Sequence, residues 1–137
     1  MTLEELQEWF PEATLNTWHQ HPNGGGWVQN TAWVADTAKV AGSALVAGNA
    51  KVCDNAGVFD NAQVAGNAKV FYSAQVFDNA WVYDNAQVYD NALVFGDAGV
   101  FGNAKVFGDA EVYGNAKIHS NTEVSSGQWE GDITEAS

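Results

Sequence analysis

Arginine is absent from this chain, and five lysines face seventeen aspartates and glutamates, for a formal net charge of −12 over 137 residues. That balance argues against direct binding to nucleic-acid phosphates or an anionic membrane, both of which recruit Lys and Arg. Cysteine occurs once, at Cys53, which excludes a disulfide framework within the chain and a multi-cysteine zinc site. No apolar run approaches the roughly 20 residues that span a bilayer. The opening residues, MTLEELQEWF, lack the basic start and cleavage site of a secretory signal, so a cytoplasmic protein is expected. The length suits one compact domain.

What the chain has in abundance is a six-residue repeat. From Gly26 to about residue 127 it reads in hexads without insertion or deletion, among them AKVAGS, ALVAGN, AQVFDN and AKVFGD. Labelling the positions a to f, a is Ala from Ala32 to Ala116, and c is Val from Val28 to Val124 with Ile118 the one change. Position b is mixed, as in Lys39, Lys51, Gln63, Trp81 and Lys105. Position d is aromatic without a break from Phe71 to Tyr113, e is mostly Gly or Asp, and f is mostly Asn.

On a strand, residues two apart point to the same side, so a and c form an apolar face and b and d the opposite one. Gly or Asp followed by Asn is turn chemistry, and the expectation is that Asn takes the left-handed backbone angles. Each hexad is then one short strand and one sharp corner. A helix is excluded, because a period of six moves successive Val residues about 120° around its axis. A six-residue unit cannot bury a core alone, so the units must coil and stack as a β-solenoid.

The run from Val40 to Val52, VAGSALVAGNAKV, resembles the hexapeptide-repeat, left-handed β-helix superfamily. The near-continuous N-A-x-V pattern behind the glycine-rich stretch His21–Gly26 is similar to short bacterial and phage β-solenoids usually labelled acetyltransferases. The resemblance implies an all-β, single-stranded, left-handed triangular solenoid with three hexads per coil. That makes about six coils of eighteen residues, stacked about 4.8 Å apart. It also implies a bacterial host cell and, as one functional reading, an acyltransferase with a His general base.

Thr2-x-x-Glu5 is a capping-box pattern, and Leu3, Leu6 and Phe10 recur near helical spacing before Pro11, so residues 2–10 are expected to form a short capping helix. Residues 1–25 are thus expected as a cap with a loop over 11–25, 26–127 as the solenoid, and 128–137 as a C-terminal cap and tail. Trp129 and Ile133 are placed to shift phase and close the last coil.

Chemistry has few candidates. His119 lies at position d inside a regular hexad, and His19 and His21 lie in the N-terminal loop, where they form a weak metal-clip pattern. No looped-out acceptor segment interrupts the repeat, so an acyltransferase would need an active site between subunits. Cys53 also lies at d, beside Asp54 and Lys51, and reads as packing. No catalytic set, metal site or cofactor is expected.

Two surfaces stand out instead. In eighteen-residue coils Phe59, Phe77, Phe95 and Tyr113 fall on one face, Tyr83 and Phe101 on the second, and Phe71, Tyr89 and Phe107 on the third. These rings either shield each other as a ladder or mark a contact with a protein partner or a second copy. Asp60, Asp78 and Asp97 share one corner, Asp84 lies on another, and Asp54, Asp90 and Asp109 belong to the same acidic set. They either keep the protein soluble or form a negative ridge that offers carboxylates where a basic, nucleic-acid-binding protein expects phosphates. The leading expectation is a non-catalytic, acidic, homo-oligomeric binding protein, of the kind a phage or mobile element uses as a DNA-mimicking inhibitor. An acyltransferase and a purely structural scaffold are the alternatives.

Overall fold

The computed structural model describes residues 1–133, and the side chains of residues 1–130. The chain is a β-solenoid of about six turns, with about 18 residues in each. One coil contains three two-residue strands drawn from positions b and c, for example Lys51–Val52, Gly57–Val58 and Gln63–Val64. Each strand pairs in parallel with the equivalent strand one coil on, so Lys51 faces Lys69 and Gln75 faces Leu93.

Three faces result. The first runs from Lys39–Val40 through Gln75–Val76, the second from Trp27–Gln29 through Trp81–Val82, and the third from Trp33–Val34 to Glu123–Val124. The long strand Glu111–Ile118 turns a corner and joins the first two faces into one sheet. Inside, the a and c columns meet as one continuous core, with Ala38 to Ala116 and Val40 to Val112 buried. Val suits this interior because its branched side chain is already restricted at χ1 and loses little freedom on packing.

The N-terminal helix spans Leu3–Trp9, and its capping box is complete: Thr2 Oγ1 accepts from the Glu5 N–H, and Glu5 Oε1 accepts from the Thr2 N–H. It packs against the side of the solenoid. Leu6 is buried among Ala13, Trp18, Trp27, Leu45 and Ala47, and the last two are outward-pointing b and d residues of the second face. At the upper end, a strand within the expected loop, Trp18–Gln20, pairs antiparallel to Trp27–Gln29 and covers the second face. The backbone groups of Trp27–Gln29 are thereby paired, whereas an unpaired loop there would leave them exposed.

At the lower end, Gln128–Ile133 runs under Glu111–Ile118, with Trp129 opposite Val112, Ile133 opposite Ile118 and a register shift between Tyr113 and Lys117. Trp129 packs against the core. The Ile133 side chain and the expected tail over 134–137 lie outside what is described.

The corners correct one expectation. Positive φ falls on position e, at Asp54, Asp60, Asp78, Asp84 and Asp90 (φ 57° to 60°) and at Gly48, Gly66 and Gly96. It does not fall on the Asn at f. The corners close with the a N–H donating to the d carbonyl, as from Ala62 to Phe59, and at Asn30 and Asp36 they do so without a positive φ. The f residue instead donates its N–H to the e carbonyl of the next coil, as Asn61 does to Asp78 at 2.8 Å. A side chain at e therefore stands directly over the next coil's backbone. A Cβ on Gly66 would lie 2.9 Å from the Asp84 nitrogen.

Gly66→Ala should thus lower stability by roughly 1–3 kcal/mol in urea unfolding, from left-handed strain and crowding. Gly66→Asp should cost about 1 kcal/mol less, because its carboxylate can accept the Asp84 N–H as neighbouring aspartates do.

Candidate functional site

Position d builds three stacked columns. On the first face Phe77, Phe95 and Tyr113 stack at 4.9 and 5.2 Å with planes within 11°. Phe59 departs from this column and lies over Gly57, where a Cβ would run into its ring. On the second face Tyr83 and Phe101 stack at 5.0 Å, and on the third Phe71, Tyr89 and Phe107 stack at 4.8 and 5.1 Å. Every one of these rings is partly buried. The exposed large apolar side chains lie elsewhere, at Trp9, Leu15, Trp33, Tyr72 and Trp81.

The histidines are held by the fold. His119 extends the second column, stacked on Phe101 at 5.1 Å with its Nδ1 3.2 Å from Ser120 Oγ. His21 is buried with Nε2 2.9 Å from the Ala38 carbonyl, while exposed His19 places Nδ1 2.7 Å from Asn30 Oδ1. The two rings meet different partners, and among the described residues no group of three His, Cys, Asp or Glu gathers to hold a metal ion. Burial pushes the Cys53 thiol up, and Asp54 adds to it against the smaller pull of Lys51 and Lys69. A thiol shifted that way is a weaker nucleophile at neutral pH.

The aspartates at e are fixed in rows. The Tyr72 N–H donates to Asp54 Oδ2 at 3.0 Å, Asp78 N–H to Asp60 at 3.2 Å, and Gly96 N–H to Asp78 at 3.1 Å. Gly102 and Gly108 donate likewise to Asp84 and Asp90 at 3.1 and 3.0 Å. Asp97, at f, ends an amide chain in which Asn61 donates to Asn79 at 3.2 Å and Asn79 to Asp97 at 3.3 Å. Asp60, Asp78 and Asp97 thus line one corner groove. Asp109 is exposed on the third corner.

Two residues outside both sets also face outward. Trp81 is 47% exposed at a b position, edge-on to Tyr83 at 6.3 Å, with Gly99 beside it in register. Tyr72 is 53% exposed and holds φ 58°, unusual for a bulky residue. Its signal was present in the sequence, as a tyrosine where the repeat mostly places Gly or Asp. Trp81 carried a weaker one, because b tolerates many residue types.

Residues 86–102 match the YdcK β-solenoid repeat. The match and the coil geometry agree on a β-solenoid repeat fold. The matched segment corresponds to about one coil, which is the unit that all coils share. No curated protein and no solved structure matches the chain.

The columns of this solenoid have a pH consequence. Burial, reinforced by Asp84, raises the Tyr83 phenol above its ordinary value, and burial with Asp90 does the same for Tyr89. As pH passes about 10 the unfolded chain releases these protons first, so it binds fewer protons than the folded one. The stabilisation is whole below that point and is lost as pH rises toward the folded values. The double variant Tyr83→Phe, Tyr89→Phe keeps a ring at each rung and should lose stability less steeply as pH rises above about 10, read as the midpoint of urea unfolding.

Proposed function

We propose that this β-solenoid is a non-catalytic protein-binding module whose acidic corners meet a basic surface, of the kind nucleic-acid-binding proteins carry. The observation that supports it is the fixing of corner carboxylates by the backbone of the next coil, at Asp54, Asp60, Asp78, Asp84 and Asp90. A carboxylate held in place loses little freedom when a cation arrives, so a row of them is preorganised for one. A charge of −12 without arginine also steers a basic partner in and repels acidic ones. A protein of this design would act as an inhibitor that occupies the partner's phosphate-binding surface. The integration of His119, His21 and Cys53 into packing and hydrogen bonds supports binding over acyl transfer.

The test starts from a partner captured from host lysate and identified by mass spectrometry. Asp60→Asn, Asp78→Asn and Asp97→Asn together remove three charges, yet each amide oxygen still accepts the bond its carboxylate accepted, so the fold should persist. Affinity for the partner should fall at least about tenfold, weaken with salt as the Debye length shrinks from ~10 Å at 0.1 M, and be competed by duplex DNA. Binding indifferent to salt, to the Asn variants and to DNA would overturn the reading.

Association of two copies through the aromatic faces is a second reading, favoured by the open flank of Trp81 and the partial exposure of the columns. Light scattering at high concentration should then return more than the 14.6 kDa of one chain, and Phe95→Ser should reduce it. A mass of one chain leaves the columns as intramolecular packing.

A further inference from the structure

We propose that the upper edge of the third face, at Trp33–Val34, accepts one extended strand from a partner polypeptide, with an aliphatic central residue and basic residues on either side. The proposal concerns a backbone edge and stands apart from the acidic corners.

The other two faces show what an upper edge of this solenoid requires. In every coil the a carbonyl, the c N–H and the c carbonyl point toward the coil above. On the first face the N-terminal loop stands in for that coil. Asn23 Nδ2 donates to the Ala38 carbonyl at 3.0 Å, with His21 Nε2 2.9 Å from the same oxygen. The Val40 N–H donates to the Asn23 carbonyl at 3.1 Å, and the Gly26 N–H donates to the Val40 carbonyl at 2.7 Å. On the second face the strand Trp18–Gln20 pairs with Trp27–Gln29. Both edges are closed by the chain's own N-terminal segment.

The third face has no such closure. Trp33–Val34 is the last strand of its sheet, and it bonds only downward, Trp33 N–H to Ala50 at 3.0 Å and Ala35 N–H to Val52 at 2.8 Å. The Ala32 carbonyl, the Val34 N–H and the Val34 carbonyl have no protein partner among the described residues. Val34 is only partly buried, whereas Val28, Val40 and Val46 in the same column position are fully buried. Trp33 is 56% exposed. An open edge with an uncovered core valine is a template for strand addition.

The occupant follows from the geometry of the missing coil. Its strand donates two N–H groups, two residues apart, to the Ala32 and Val34 carbonyls and accepts from the Val34 N–H. Its central side chain points inward onto Val34, where a β-branched aliphatic residue continues the valine column. Its flanking side chains point outward beside Trp33 and Ala35. Lys51 already lies next to Trp33 from below in register, and a second Lys from above would face the same exposed indole. Exposed Asp36 on the adjoining corner and the net charge of −12 favour basic flanks further. End-to-end stacking of a second copy does not supply this strand. The Trp18–Gln20 strand and the N-terminal loop occupy the level above the other two faces and hold a second rod away.

The experiment uses the full chain, isotope-labelled, and the synthetic peptide acetyl-Thr-Lys-Val-Lys-Thr-amide. Titration should shift the resonances of Trp33, Val34 and Ala35 saturably and slow exchange of the Val34 amide at least about tenfold. The same peptide N-methylated at both lysine amides lacks the donors and should do neither. In Val34→Pro the upward N–H is gone while the Trp33 and Ala35 bonds to the coil below are untouched, so the fold is expected to persist without peptide binding. Should that variant fail to fold, the N-methylated peptide still decides the question. Absence of shifts at Val34 up to millimolar peptide, equal binding of the N-methylated form, or a Val34 amide already protected in the free chain would each overturn the proposal. Loss of charge at Asp60, Asp78 and Asp97 should leave peptide binding in place, which separates this edge from the corner reading.

Discussion

Parallel hydrogen bonding from each coil to the next is the interaction on which this structure rests, because no single hexad buries enough apolar surface to stand alone. The b and d N–H groups point down to the a and c carbonyls of the following coil, as Lys69 does to Ala86 and Phe71 to Val88 at 3.0 Å each. Around three corners that ladder is accompanied by a left-handed residue at every e from Gly42 to Ser120, and it demands a constant coil length. One inserted residue would turn the following valines outward and break the column.

The coil spacing then organises the side chains. Rings repeated at d meet their equivalents at 4.8 to 5.2 Å, close enough to stack and shield one another, at about 0.5–1.5 kcal/mol per pair beyond their burial. Carboxylates repeated at e meet the N–H of the next coil. Asn61 and Asn79 extend the same logic to f. A surface of aromatic and acidic residues thus serves the fold first, and what is left facing outward is the charge of the fixed carboxylates, a few outlying rings and the open upper edge at Trp33–Val34.

Much of this was legible in the residues. The alternation of Ala and Val at a and c against mixed b and d named the inside and outside of each strand, and Thr2 with Glu5 named the helix start. The left-handed residue was misplaced by one position, because Gly, Asp and Asn are all turn residues and composition alone does not say which of two neighbours turns. Residues 11–25 carry no hexad pattern, so the strand Trp18–Gln20 left no periodic trace. Its partner lies across the solenoid edge and exists only once the first coil has closed. The helix sits on the side of the second face because Leu45 and Ala47 are apolar where b and d are elsewhere polar or aromatic, a local departure that gains meaning only beside Leu6 and Trp18.

The sequence by itself determined the repeat, the solenoid class, the residues of the core and the columns in which aromatic and acidic residues recur, because a strict six-residue period leaves a stacked coil as the economical way to bury Val and Ala. Tertiary structure decided what those columns do. Whether a carboxylate points to solvent or accepts an N–H one coil away, whether a His is free for chemistry or stacked on Phe101, and which of three edges stays open all depend on contacts between residues eighteen or more apart. Those contacts come from closure of the coils and docking of the N-terminal segment, which no local pattern encodes.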